Sequence, residues 1–328
     1  MLKGNNQLPA EPYIQQLDQH DIDQFAEAVS QWNLDFRQLE RGQIKCGLTQ
    51  ILKPDFNFIR IKLNRIVDQQ GGSAPDSHSF LSITDPSGWV EWCGQQVQEN
   101  SLIYHGPNCN FETLTNQGWC AYVTTISDTR LQQVAASLGY PEAIGLLNDN
   151  VPIKPADGSR VLSLRQLQNL YLNSIDDRAL SAISRGRYQQ SLEQLVCEEI
   201  IRIIMDGQSS HTNTSFQGRA LALKEAIGYI RDNAREAVSV ADIAQVSGVS
   251  SRTLDRAFKE GIGVSPQHCI KAVRLEGVRK ELKRGDENNS VTDIANEWGF
   301  WHMGDFARDY HCEYGELPST TLRSQRIL

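Results

Sequence analysis

The chain has 328 residues, 40% of them hydrophobic and 22% charged, which is the size of about two domains and the profile of an ordinary globular protein. The net charge of −8 excludes a uniformly basic binder of polyanions. It does not exclude a local basic face: from residue 219 onward 16 basic residues balance 16 acidic ones, so the whole net charge lies in the first 218 residues.

The opening MLKGNNQLPAEPYIQQ is polar and lacks the apolar stretch of a secretory signal, and residues 1–20 are predicted as a flexible arm. Asp21 is placed to cap a short helix, IDQFAEAVSQW, with Ile22, Phe25, Ala26 and Val29 on one face. From Cys46 to Ile126 short apolar or alternating runs (GLTQIL, FNFIRIKLNRIV, SFLSI, GWVEWC, SLIY, FETLT, WCAYVTTI) are separated by turn formers such as DPSG, GPN and NQG. Many short strands at this spacing predict a sandwich or a small barrel. Residues 21–158 are therefore taken as one β-rich domain, closed by a helix near TRLQQVAASLG.

Residues 159–206 are helical in pattern. Leu192, Leu195, Val196, Glu199, Ile200 and Ile203 form a broad stripe there. It suits either a homodimer interface or packing on the protein's own barrel. Residues 207–218, rich in Ser, Thr, Asn and Gly, read as a linker. Residues 219–328 are helical throughout. No run approaches the ~18 apolar residues of a membrane span. Seven cysteines, an odd number with no CxxC pair, argue against a disulfide framework and for a reducing compartment, so a cytoplasmic protein is expected.

The last region contains a duplication. SVADIAQVSGVSSRTLDRAFKEGIGVSP recurs as SVTDIANEWGFWHMGDFARDYHCEYGELP. Ser239, Asp242, Ile243, Ala244 and Gly248 match Ser290, Asp293, Ile294, Ala295 and Gly299. Leu254, Arg256, Phe258, Gly263 and Pro266 match Phe306, Arg308, Tyr310, Gly315 and Pro318. Each copy predicts a short helix with a carboxylate in its first turn, buried on Val240, Ile243, Ala244 and Val246 or on Val291, Ile294, Ala295 and Trp298. A glycine turn follows, then a second helix anchored by Leu254 and Phe258 or by Phe306 and Tyr310. The outward face of that helix carries Ser251, Arg252, Thr253, Asp255 and Arg256 in the first copy. In the second it carries His302, Met303, Gly304, Asp305 and Arg308. Arginine suits bidentate contact to guanine or phosphate, and the aspartates are expected to accept from cytosine or to orient an arginine. An intervening helix of about twenty residues, about 30 Å long, sets two such heads roughly one turn of duplex apart.

Residues 219–328 resemble the DNA-binding domain of AraC/XylS-type transcription regulators. The resemblance rests on DIAQVSGVSSRTLDRAFKEGIGVSP, RLEGVRKEL and DIANEWGFWHMGDFARDYHCEYGELPS. The run GFWHMGDFARDY…GELPS is similar to the branch containing the ethanolamine-operon regulator. The resemblance implies base contacts from Arg252, Thr253, Asp255 and Arg256, and from His302, Gly304, Asp305 and Arg308. Acids at 255 and 305 and a glycine at 304 depart from the family pattern, so the second head is expected mainly to grip phosphates.

The family commonly pairs this domain with an N-terminal cupin-type barrel that binds an effector or dimerises. The expected fold is thus α+β and multidomain: a cupin-like β-barrel with flanking helices, then an all-α domain of two helix-turn-helix motifs joined by a linker helix. Trp89, Trp92, Tyr104, Phe111 and Trp119 are the candidates for lining an effector pocket, the alternative being that they fill a core. His78 and His105 lack the HxH spacing and downstream Glu of a metal-binding cupin, so no metal and no cofactor are expected. None of the cysteines sits in a basic acceptor motif. The expected function is sequence-specific transcription regulation by activation, with double-stranded DNA, RNA polymerase, a small effector and a second copy of the chain as partners. The alternative is a cupin-type metalloenzyme with an accessory helical domain.

Overall fold

The computed structural model describes residues 13–29, 34–73, 75–84, 90–93, 95–98, 100–147, 152–153, 158–175, 181–207, 217–285 and 290–325. The N-terminal elements are β1 (Tyr13–Gln19), α1 (Ile22–Ala28), β2 (Asp35–Gln38), β3 (Cys46–Leu52), β4 (Phe56–Leu63), β5 (Val67–Gly72) and β6 (Ser77–Ile83). They continue with β7 (Glu91–Trp92), β8 (Gln95–Gln96), β9 (Leu102–His105), β10 (Asn110–Leu114), β11 (Cys120–Ser127), α2 (Asp128–Ser137), β12 (Pro152–Ile153), α3 (Ser159–Asn173) and α4 (Ala182–Gly207).

The strands form two antiparallel sheets. One has seven strands in the order β1-β3-β4-β11-β6-β9-β12, and the other five in the order β2-β5-β10-β7-β8. Neither closes on itself among the described residues, so the expected barrel takes the form of two facing sheets. Alternation along each strand explains how the larger sheet buries both faces. On β4, Ile59, Ile61 and Leu63 point into the space between the sheets, where they meet Phe36, Trp92 and Phe111. Phe56 and Phe58 point the other way, under a helical layer that includes Leu131, Leu164 and Tyr171.

That layer takes up most of the α4 stripe. Leu192, Val196, Ile200 and Ile203 are buried against the chain's own sheet, and Glu199 is buried with them. Leu195 alone of the stripe is exposed, at 43%. Of the segment expected as a flexible arm, residues 1–12 lie outside the described residues and Tyr13–Gln19 form a strand. Residues Tyr13–Gln19 pair with β3 from Tyr13↔Leu52 to Gln19↔Cys46, giving the large sheet an edge strand. The linker expected at 207–218 falls almost wholly outside the described residues, as does Trp89.

The remaining elements are helices: α5 (Gln217–Asp232), α6 (Val240–Val246), α7 (Ser251–Ile262), α8 (Pro266–Arg284), α9 (Val291–Glu297), α10 (Met303–Tyr314) and α11 (Pro318–Gln325). The first half packs Leu223, Ile227, Ile230, Ile243, Leu254, Phe258 and Val273 into one core. Leu39, Ile66 and Leu114 join that core from the N-terminal region. The second half packs Leu275, Val278, Leu282, Ile294, Phe306 and Tyr310 into another. The nineteen-residue α8 contributes to both and spans about 28 Å.

Candidate nucleic-acid interface

The two copies fold alike because their local signals are alike. Ser239 accepts from the Asp242 amide while the Asp242 carboxylate accepts from the Ser239 amide, and Ser290 and Asp293 repeat this capping box. Hydrogen bonds from the serines hold both carboxyls below their usual range. Gly248 and Gly299 have φ of 65° and 79°, the left-handed turn that admits glycine most readily. Ser250 caps α7 by accepting from the Thr253 amide, whereas His302 at the start of α10 makes no side-chain cap. Gly263 and Gly315 end α7 and α10, and Pro266 and Pro318 open the next helices.

Burial follows the pattern with one correction. Ile243, Ala244, Ile294 and Ala295 are buried, but Val246, expected inside, is 50% exposed because α6 ends there. Leu254, Phe258, Phe306 and Tyr310 anchor the second helices and are buried. Ser251, Arg252, Thr253, Asp255 and Arg256 are exposed on α7. His302, Gly304, Asp305 and Arg308 are exposed at α10, and Met303 is half-buried.

Charge within these faces is partly self-compensated. Asp305 Oδ1 lies 2.7 Å from Arg308 Nη2, so this acid does orient the arginine. Arg256 Nε instead meets Glu260 Oε1 at 2.6 Å, one turn along α7. The composition of the outward face alone hides that pairing, although the four-residue spacing of Arg256 and Glu260 announces it. Trp301 is 73% exposed in the approach to α10, a residue the sequence reading passed over.

The N-terminal region docks on this domain through α5, α8 and α10. Arg279 and Lys283 of α8 bind Asp21, each at 2.8 Å, and Lys283 binds Asp23 at 2.5 Å. Lys280 reaches Asp35 at 2.5 Å. Arg231 of α5 holds both oxygens of Asp68, at 2.7 and 2.8 Å. Asp309 of α10 meets Lys271 at 2.8 Å and Arg41 at 3.7 Å. Gln38 Nε2 donates to Glu313 at 3.3 Å. Burial pushes the Glu313 carboxyl up to about 8. Three of the six lysines and arginines of α8 thus pair with the N-terminal region, while Lys271 pairs with Asp309 and Arg274 donates to the Ala234 and Glu236 carbonyls.

Between the two sheets lies a small apolar cavity of about 40 Å³, lined by Trp92, Phe111, Trp119, Gln69, Ile61 and Leu81 among others. Trp92 and Phe111 stack at 4.9 Å, and His105 meets Phe111 edge-on at 4.4 Å. Trp92 Nε1, Trp119 Nε1 and Gln69 Oε1 are buried without a hydrogen-bond partner among the described residues. Three of the expected pocket aromatics therefore meet here. Tyr104 does not: it belongs to the opposite face of β9, hydrogen-bonded to His78 Nδ1 at 2.9 Å and packed with Phe80. His78 is thereby occupied by Tyr104 and by Asp128, 3.0 Å from its other nitrogen. Among the described residues no group of three or more His, Cys, Asp or Glu is placed to hold a metal, and no helix is long and apolar enough to cross a membrane.

A family model described as a helix-turn-helix domain matches residues 243–324, which places the C-terminal region in that class. The chain is 29% identical over 180 residues to XylDLEGF operon transcriptional activator 3 of Pseudomonas putida, covering 53% of this chain and 54% of that one. It is 34% identical over 105 residues to XylDLEGF operon transcriptional activator 2 of the same species, covering 32% of this chain and 67% of that one. Among solved structures, a probable AraC family transcriptional regulator from Rhodopseudomonas palustris CGA009 is 35% identical over 32% of this chain and 96% of its own, with a TM-score of 0.31. The chain belongs to the AraC/XylS-type family of transcription regulators. It spans about half the length of the first curated relatives it matches.

Proposed function

We propose that this protein binds duplex DNA through two helix-turn-helix units, α6–α7 and α9–α10, and regulates transcription in response to a small effector. The observation that carries this reading is the twin set of caps, glycine turns and exposed second helices. Two copies of one supersecondary unit, each leaving the same helix face bare, suit two successive major grooves read from one side. The length of α8 is close to the ~34 Å of one duplex turn.

On α7, Arg252, Thr253 and Arg256 take base and phosphate contacts, with Ser251 and Asp255 beside them. On α10, Arg308 is held by Asp305 and grips phosphate, flanked by His302 and Gly304. The effector site is the cavity between the sheets, with Trp92, Phe111 and Trp119 as its aromatic wall. Among the described residues no lysine or arginine lines it, and the orphaned groups there include two indole N–H donors and a carbonyl acceptor. That chemistry fits a flat, largely apolar, uncharged molecule bearing a hydrogen-bond acceptor. Relatives named as transcriptional activators support a role in activation; RNA polymerase would then be a partner, and a cytoplasmic setting suits a protein that must reach DNA. A homodimer would use the helical layer, where Leu195, Leu162 and Leu170 remain exposed.

Titration of a fluorescent duplex tests the reading. Affinity should fall linearly in log salt, and a preferred sequence should emerge from a randomised pool. A chain that binds no duplex at low salt contradicts it.

A further inference from the structure

The cavity and the helical domain touch opposite faces of the same two strands. On β5, Gln69 lines the cavity, and on β10, Phe111 does. Their neighbours Asp68 and Glu112 must then point outward. The register agrees, since Gln69 pairs with Thr113 and Asp68 with Leu114. Outside, Arg231 of α5 takes both Asp68 oxygens, and Glu112 stands 3.8 Å from Arg231 and 3.8 Å from Lys224. Leu114 packs in the same core as Leu223, Ile227 and Ile230 of α5 and Leu254 and Phe258 of α7.

At about 40 Å³ the cavity holds a few waters at most. An effector therefore has to part the sheets to enter. The seven-stranded sheet is backed by the helical layer of its own region. The five-stranded sheet is backed by α5, so its displacement is felt in the second domain.

We infer that the Asp68–Arg231 pair, braced by Glu112, couples occupancy of this cavity to the placement of α5 and of the α6–α7 unit that α5 supports. The inference rests on reading the cavity as the effector site. Both side chains are nearly buried, at 5% and 9% exposure. Pulling them apart would strand a charge out of water, which costs far more than moving them together. The strands and α5 consequently shift as one body.

Hydrogen–deuterium exchange of the full chain, without DNA or effector, tests this. The proteins are the wild type, Phe111→Leu in the cavity, Asp68→Asn outside it, and the double variant, with Trp119→Phe as a second cavity change should Phe111→Leu not fold. The cavity variant should speed exchange of the α5 amides several-fold. Asp68→Asn should do the same, and the double variant should add nothing to the larger single effect. An α5 that ignores the cavity variant, or a cavity effect undiminished by Asp68→Asn, overturns the inference. Because exchange needs no DNA, a chain that binds no duplex sinks the proposed function and leaves this result standing. A chain that binds duplex but shows no coupling sinks this inference alone.

Discussion

Trp298 lies against Gly277 so closely that a Cβ at 277 would stand 2.1 Å from the indole ring. The Arg235 guanidinium lies over the ring, 4.7 Å from its centroid. Trp298 thus ties the turn after α9 to the middle of α8, where the two helical cores meet. Gly277→Ala should cost about 1–3 kcal/mol by overpacking, read as a lower urea midpoint. Trp298→Leu in the same chain should recover part of the loss; a loss unchanged by it would mean that the ring is not the obstacle.

Arg256→Ala and Arg308→Ala should each weaken duplex binding by about 1–3 kcal/mol if they touch bases, and by less, with a flatter salt slope, if they touch phosphate only. Glu260→Gln should strengthen binding several-fold, since it removes an anion from the α7 face and frees Arg256. Fluorescence anisotropy at two salt concentrations separates these outcomes. Unchanged affinity in the Glu260 variant would mean that the pair opens without cost.

Glu313 gives the stability a pH dependence of definite sign. Burial lifts its carboxyl to about 8 in the folded chain, against 4.5 as its ordinary value. The folded state therefore holds a proton that the unfolded state has lost, and this contribution is present below pH 4.5 and lost as pH rises toward 8. Between pH 5 and pH 8 the wild type should lose on the order of 1–3 kcal/mol relative to Glu313→Gln. Parallel melting curves for the two proteins across that range would contradict the assignment.

Asp21 works in the opposite direction. Burial raises its carboxyl, but Arg279 and Lys283 outweigh that and hold it below the usual 3.8. Its stabilising effect should be complete above about pH 4 and fade as pH falls further. Asp21→Asn should cost roughly 1–3 kcal/mol at pH 7, much of it from leaving Arg279 underpaired, and the difference from wild type should shrink at pH 3. A constant difference would mean that the carboxylate charge is not what the fold uses there, because asparagine can still accept from the Asp23 amide at the α1 cap.

The helical domain was legible in the sequence because its signals are local. Ser239 with Asp242, Gly248, Ser250, Gly263 and Pro266 each act within a turn or two, and the second copy repeats them. Even so, Val246 was misplaced, because periodicity does not say where a helix ends. The N-terminal region was legible only as strands and turns. Nothing near Tyr13 announces that its partner is Leu52, and nothing near Tyr104 says which face of β9 meets the helices. The docking contacts were invisible for the same reason: Asp68 and Arg231, or Asp21 and Arg279, are joined only by the tertiary fold.

The central claim is that α7 and α10 read one duplex together. Hydroxyl-radical footprinting of the full chain on a selected operator tests it most directly. Two protected patches about 10 base pairs apart on one side of the duplex are expected, with Arg256→Ala erasing one and Arg308→Ala the other. A single patch, lost to one variant and indifferent to the other, would contradict the claim.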